Sequence, residues 1–152
     1  EVLGGRHHYW HMKRPFWDTL EQHGRAGLKY DTSIGFNEAP GYRLGIAHPF
    51  CPWNPDAEAA IPVLQIPTML MDGALLYDQE RTVEQAVEDA ARLIDKLAAN
   101  EGTASIDWHV RTAWPGCESF RRWASVYEEL LDLIRGRDDV EFCTPAELLK
   151  GP

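Results

Sequence analysis

Two kinds of hydrophobic pattern alternate along this chain: short apolar runs, and longer segments in which apolar residues recur every three or four positions. The clearest periodic segment begins at Thr82, which has capping-box spacing with Gln85, and ends at Gly102. A second periodic segment covers about 118–135 and stops at Gly136. The spacing predicts a helix in each segment.

Two shorter helices are predicted, and each has a proline near its first residue. Pro15 suits a first helical position, and the apolar face that follows it ends at Gly24 or Gly27. Thr144 and Glu147 have a second capping-box spacing with a proline between them, which predicts a short final helix.

Apolar runs that favour strands lie between these helices, at residues 2–3, 28–30, 63–71, 104–108 and 140–143. Pro67 places a break or an edge within the third run. The connection 32–62 is rich in glycine, proline and asparagine, but its aromatic residues favour an ordered excursion with a small strand near 42–46.

Strands that alternate with helices predict an α/β fold with a parallel sheet and right-handed crossovers. The chain has 152 residues, so we expect a single domain over 1–152. About five strands would form a small doubly wound sheet or part of a barrel.

Composition restricts the partners. The net charge of −9 comes from 15 Lys and Arg against 24 Asp and Glu, which argues against a nucleic-acid partner. No apolar run is long enough to span a membrane, and the N-terminal residues lack a signal-peptide core. The cysteines are far apart with no CxxC spacing, so neither a disulfide framework nor a thiolate zinc site is expected, and a cytoplasmic location is favoured: Cys51, Cys117 and Cys143.

Ionisable residues follow the predicted strands. Because the carboxyl ends of parallel strands meet at one edge, where ligands bind in such folds, we expect a functional site there. The residues at these ends are Arg6, His7, His8, Asp31, Asp72, His109, and Thr144 with Glu147 nearby.

His109 is the central candidate. Next to a carboxylate such as Asp72, its imidazole would be held in one tautomer and suited to general acid catalysis. The alternative is a core histidine that bonds to a backbone carbonyl. Arg6 could orient a carboxylate or a substrate oxygen through its planar guanidinium, or could form an ordinary ion pair.

Other candidates have two interpretations each. Asp31 could belong to the site or could cap a turn with the Thr and Ser that follow it. The run of His7, His8 and His11 suggests a metal, but neighbours on a strand point to opposite faces, so His7 and His8 would not share a site. Packing is favoured over sugar stacking for Trp10, Trp53 and Trp108.

Several motifs carry a family resemblance over nearly the whole chain. They are Gly5-Arg6 with His8-Tyr9, Arg14-Pro15 with Trp17, Gly27 to Ser33 before Gly35-Phe36, Gly41 to Gly45, Gln65-Ile66-Pro67 through Met71-Asp72-Gly73, Trp108-His109, and Val140 to Thr144 before Glu147-Leu148. In order and spacing they resemble the NodB-type polysaccharide deacetylases, carbohydrate esterase family four, in a divergent branch found with surface-polysaccharide genes.

This resemblance implies a distorted parallel barrel of seven or eight strands and a zinc-dependent hydrolysis of N-acetyl groups on sugars. In the family, zinc activates water, an aspartate acts as base and a histidine acts as acid. By resemblance Arg6 stands in the motif whose arginine orients the base, Asp72 in the place of the aspartate that tunes the acid, and His109 in the place of the acid. Candidate substrate-binding residues are Asp31, His8, Trp108 and Tyr30.

One departure from the family is large. The family's base and metal motifs precede the arginine motif, and this chain begins at the arginine motif. We therefore expect the C-terminal part of a deacetylase barrel, inactive as an isolated chain, with no metal ligands of its own and the zinc held mostly by residues outside it. Its partners would be a carbohydrate substrate and, at the open sheet edge, a second copy or the missing N-terminal portion.

Two other functions are compatible with the sequence. One is a catalytically degenerate carbohydrate-binding or interaction domain. The other is a different metallohydrolase that uses His8, His48 and His109.

Overall fold

The structure of the protein is a computed structural model that describes residues 2–76 and 81–150. The strands are β1 Gly4–Gly5, β2 Tyr30–Asp31, β3 Trp53–Asn54, β4 Ala59–Ala60, β5 Leu64–Gln65, β6 Thr68–Met71 and β7 Ser105–Asp107. The helices are α1 Phe16–Arg25, α2 Asp72–Leu76, α3 Val83–Ala99, α4 Val110–Ala113, α5 Arg121–Arg135 and α6 Pro145–Leu148, with 3-10 turns at His8–Trp10 and Glu118–Phe120.

The strands that carry the site run parallel. β2 lies between β1 and β5, and β6 pairs separately with β7. β5 and β6 belong to one extended segment that is interrupted at Pro67, where the sequence predicted a break. The predicted α/β class with parallel strands is confirmed, and the described strands do not close into a barrel.

A close approach explains one glycine of β1. A Cβ on Gly4 would lie 2.4 Å from the backbone oxygen of Tyr30 and 2.5 Å from its ring. Any larger residue would push β1 away from β2, so glycine is required where the two strands meet.

Two predicted strands are wrong. Residues 42–46 form a turn, in which Gly45 donates its N–H to the Tyr42 carbonyl at 3.0 Å and adopts a φ of +68°. Residues 140–143 belong to no strand or helix and pair with no described strand, and Phe142 is 60% exposed. An apolar run forms a strand only where a neighbouring strand can take its backbone hydrogen bonds, and here none does.

The predicted helices are present. Thr82 and Gln85 form the reciprocal capping box of α3, and Thr144 and Glu147 form that of α6. The segment predicted from about 118 begins as a 3-10 turn and continues as α5 to Arg135. α3 packs on α5, and their apolar stripes form the main core with the β6–α2 segment: Met69, Leu70, Leu75, Leu76, Ala86, Ala90, Ile94, Trp123, Val126, Leu130 and Ile134.

Two further sequence predictions concern the cysteines and the membrane. Cys51, Cys117 and Cys143 are free thiols. Within the described ranges, no helix combines the length and the apolar composition needed to cross a membrane.

Candidate functional site

The candidate site lies at the carboxyl ends of β6 and β7. These strands pair in parallel with Met71 opposite Asp107, so the residues that follow them leave the sheet side by side. Asp72 begins α2, and His109 precedes α4. His109 Nδ1 lies 2.7 Å from Asp72 Oδ1, so the contact predicted between these two residues is present.

Four donors surround the fully buried carboxylate of Asp72. The Gly73 N–H donates to Oδ1 at 2.7 Å, and the His109 N–H donates to Oδ2 at 3.2 Å. The Thr112 hydroxyl also donates to Oδ2, and the His109 imidazole completes the set. A buried carboxylate is stable only when its lone pairs are used in this way, so Asp72 has a fixed position and orientation.

This arrangement sets the tautomer of His109. A carboxylate only accepts hydrogen bonds, so Nδ1 carries the proton that faces Asp72 and Nε2 is left for other partners. The His109 side chain is 27% exposed and lines a cleft of about 520 Å³. The imidazole therefore has one nitrogen held in the interior and contributes to the wall of a cavity large enough for a sugar ring.

Arg6 lies on the same cleft and is held from two sides. Its Nη1 is 3.0 Å from Asp107 Oδ2, and its guanidinium lies 5.2 Å from the centre of the Trp10 ring. Asp107 is only 12% exposed, and burial raises the pKa of its carboxyl while Arg6 and His109 oppose that rise. Arg6 is thus anchored by an ion pair and a cation–π contact beside the Asp72–His109 pair.

Asp107 is a site residue that the sequence interpretation missed. A usable signal was present, since Asp107 lies two positions before His109 on a strand, and residues at that spacing point to the same face. The prediction placed candidates only after the strands and overlooked the last residue of β7.

His7 and His8 separate, although they follow β1 rather than lie on a strand as the sequence interpretation assumed. His8 lines the cleft, whereas His7 turns away, and its Nε2 lies 2.8 Å from His23 Nε2. Asp31 belongs with this second group. It is buried, it accepts the Ser33 N–H and hydroxyl at 2.7 Å each, and it lies 3.4 Å from His23 Nδ1. The contacts of Asp31 are therefore those of the turn-capping interpretation, and Asp31 does not line the cleft.

The two aromatic candidates also lie elsewhere. Tyr30 fills the space opposite Gly4, and Trp108 packs on the main core with its ring 5.1 Å from that of Tyr127. Neither is among the described residues that line the cleft. Of the predicted substrate-binding residues, His8 alone reaches it.

The described residues do not fit a zinc centre. Residues 2–76 and 81–150 contain no group of three or more histidines, cysteines, aspartates or glutamates arranged to hold a metal ion. Such a centre needs at least three protein ligands. One ring nitrogen of His109 is bonded to Asp72, and the described residues do not bring His8, His48 and His109 together as a metal-binding group.

Comparison of the chain with family models, with curated proteins and with solved structures finds no match.

Proposed function

We propose that this chain supplies the proton-donating part of a hydrolase that removes N-acetyl groups from a carbohydrate. The observation that carries the proposal is the buried Asp72 carboxylate bonded at 2.7 Å to the Nδ1 of a cleft-lining histidine. A carboxylate behind an imidazole is the arrangement that fixes a general acid or base for proton transfer. The motif resemblance supplies the reaction class.

His109 would act on the leaving group. In the protonated imidazole, Nδ1–H remains bonded to Asp72 and Nε2–H is available to the cleft. Water would add to the acetyl carbonyl carbon and lose a proton to a base supplied, like the metal, from outside the described residues. As the bond between that carbon and the sugar nitrogen breaks, Nε2 gives its proton to the nitrogen, so the products are acetate and a free amine. Asp72 stabilises the imidazolium before transfer and keeps the ring oriented after it.

Arg6 would position the substrate. Asp107 and Trp10 hold its guanidinium in place, so its remaining N–H groups can bind a substrate oxygen at little entropic cost. In the resembling family this arginine orients the base. Here its carboxylate partner within the chain is Asp107.

The metal and the rest of the barrel would come from outside the described residues. In the resembling family a divalent metal, zinc, supplies Lewis-acid activation of water; because the described residues do not fit it, we assign it no step. β1, β2 and β5 are parallel neighbours in one sheet, and β6 and β7 are parallel neighbours in another. Parallel pairing of this kind supports the proposal that they are strands of a barrel. A second copy or an N-terminal portion that pairs with the outer strands would complete such a barrel.

Acetate release tests the reaction. The intact protein that contains this chain is incubated with N-acetylglucosamine oligomers, with zinc present, beside its His109→Gln variant. We expect acetate from the unaltered protein and a rate about 10²- to 10⁴-fold lower from the variant, the usual contribution of a general acid. Absence of acetate from every N-acetylated oligosaccharide tried would contradict the proposal.

A binding domain without catalysis is the second candidate, because the described residues do not assemble a metal site. Binding of the same oligomers without acetate release would favour it. Nitrogen-15 NMR of the histidine rings provides a readout independent of turnover: Nδ1 of His109 should carry the proton, and Asp72→Asn should weaken that preference.

A further inference from the structure

Two neighbouring clefts share one wall. The cleft at His109 and a second cleft of about 580 Å³ are both lined by Tyr9, Trp10 and Asn37. The second cleft extends along the segment that leads into α1. Together they form a groove whose two parts, of about 580 and 520 Å³, have the volume for more than one sugar residue.

Apart from Tyr9, the ionisable side chains that line this groove are basic. Arg6, His8, His109 and Arg111 line the first cleft, and the lining of the second includes His11, Lys13, Arg14 and Arg43. Among the described residues, no aspartate or glutamate lines either cleft, although the chain has 24 of them against 15 lysines and arginines. Positive charge is concentrated here in a protein whose net charge is −9.

The arginines of the groove are also available for a ligand. In the described ranges, the arginines without a carboxylate partner are Arg14, Arg43, Arg111 and Arg122. The first three line the groove. Arg122, outside it, donates to the Arg81 carbonyl. Arg43 also donates to the Gly35 carbonyl at 3.3 Å, and the Arg111 guanidinium lies 5.8 Å from the centre of the Phe120 ring, so both keep N–H groups for a ligand. Guanidinium groups without a carboxylate partner are a usual means of binding carboxylates or phosphates.

An aromatic side chain stands between the two clefts. Tyr9 is 66% exposed and is held with a φ of +57°, a conformation that non-glycine residues rarely adopt. Its ring centre lies 4.4 Å from that of His8 and 5.8 Å from that of His11. A strained backbone that presents an exposed ring at a cleft is typical of a binding site, and such a ring can stack on the apolar face of a sugar.

We propose that the two clefts form one groove for an acidic N-acetylated polysaccharide, whose carboxylates are bound by Arg111 on one side of Tyr9 and by Arg14 and Arg43 on the other. This deepens the proposed function and rests on it, because it takes the occupant to be an N-acetylated glycan. A nucleic acid is disfavoured, since its dense phosphates would be repelled by the acidic remainder of the surface.

Binding to matched oligosaccharides tests the charge preference. The affinity of the chain is measured by titration calorimetry for a hyaluronan hexasaccharide, which alternates N-acetylglucosamine with glucuronate, and for neutral chitohexaose. We expect at least about tenfold tighter binding of hyaluronan, and a preference that declines as salt is raised, because ion pairs are screened. A single-stranded hexanucleotide is the third probe.

Variants locate the effect. Arg111→Gln and Arg43→Gln should each reduce the hyaluronan affinity about threefold or more and leave chitohexaose affinity nearly unchanged. Arg122→Gln removes the same charge from outside the groove and should change neither. Circular dichroism of each variant checks that it is folded, and Arg111→Lys should restore part of the affinity.

Several results would overturn the proposal: equal affinity for the two sugars, no binding of either, tighter binding of the hexanucleotide, or equal losses in Arg111→Gln and Arg122→Gln. Acetate release distinguishes this failure from that of the proposed function. A preference for hyaluronan without acetate release removes the hydrolase and keeps the acidic-glycan groove. Acetate release without any preference keeps the hydrolase and removes the groove.

Discussion

The described part of the protein contains two aspartate–histidine pairs built from the same chemical groups, and they differ in where the second imidazole nitrogen points. In the first pair, Asp72 binds His109 Nδ1 at 2.7 Å and the ring lines the cleft. In the second pair, Asp31 lies 3.4 Å from His23 Nδ1 without a hydrogen bond, and His7 occupies His23 Nε2 at 2.8 Å.

The comparison shows why only one pair is a candidate for proton transfer to a substrate. A general acid must reach its substrate with a nitrogen that no protein group occupies. His109 satisfies this condition among the described residues, where only its Nδ1 has a bonded side chain. His23 does not, because both of its nitrogens face other side chains in the interior.

The second pair has a structural role instead. Ser33 donates to both oxygens of Asp31 and accepts the His7 N–H at 2.8 Å, so the cluster ties the loop after β1 to β2 and α1. Burial raises the pKa of Asp31, and Ser33 and His23 oppose that rise. Burial also lowers the pKa of His23, which Asp31 opposes. In both residues, burial disfavours the charged form.

The largest expected effect separates the two histidines by activity. His109→Gln should lower the rate of acetate release by about 10²- to 10⁴-fold, mainly through kcat, because proton donation is needed in the transition state. His23→Gln, the matched change in the closed cluster, should alter the rate by less than about threefold once folding is confirmed. Equal losses of rate in the two variants would show that His109 is not the general acid.

The next effect separates the two aspartates by stability. Asp72→Asn should lower the free energy of unfolding by about 3 kcal/mol, because four donors would then face an amide that cannot accept from all of them. Asp31→Asn should cost about 1 kcal/mol, because Asp31 accepts fewer bonds and burial already disfavours its charge. Urea unfolding at neutral pH measures the free energy of unfolding of both variants. A larger loss of stability in Asp31→Asn than in Asp72→Asn would contradict the greater structural contribution of Asp72.

A smaller effect concerns the hydroxyl that supports Asp72. Thr112→Val keeps the side-chain shape but removes a donor to a buried carboxylate, so it should cost about 1–2 kcal/mol of stability. The nitrogen-15 signals of the His109 ring should also shift, which a purely packing role would not produce. Thr112→Ser retains the hydroxyl and should give the His109 ring signals of the unaltered protein. If these signals do not shift in Thr112→Val, the Thr112 hydroxyl does not influence the Asp72–His109 pair.

The smallest effect is a pH dependence of the closed cluster. Because the pKa of His23 in the folded protein is below 6.5, the folded state binds fewer protons than the unfolded state just below that pH. The neutral form of His23 therefore contributes to the stability of the folded state above pH 6.5, and this contribution is lost as pH falls through the pKa of His23 in the folded protein.

Stability should therefore fall with decreasing pH in that window, and His23→Gln should flatten the slope. Urea unfolding at a series of pH values measures the slope. His48→Gln, an exposed histidine outside the cluster, is the matched control and should retain the slope of the unaltered chain. An unchanged slope in His23→Gln would remove His23 as the source.

The sequence by itself determined the elements whose signals are local. Thr82 with Gln85 and Thr144 with Glu147 begin helices because the bonds of a capping box join residues three positions apart. The break at Pro67 and the stripes of α3 and α5 are local in the same sense. Parallel strands followed from the alternation, and with them the meeting of Asp72 and His109 at two adjacent strand ends.

Tertiary structure decided what depends on partners distant in the chain. Residues 140–143 have a strand pattern but no strand to pair with among the described residues. Asp31 ends β2 and Asp72 follows β6, but only Asp31 is enclosed by Ser33 and His23. The pairing of Asp107 with Arg6 joins residues about 100 positions apart, and no local pattern encodes such a contact. Whether a carboxylate–imidazole pair faces a cleft or the interior depends on the elements packed around it, which the sequence near either residue does not specify.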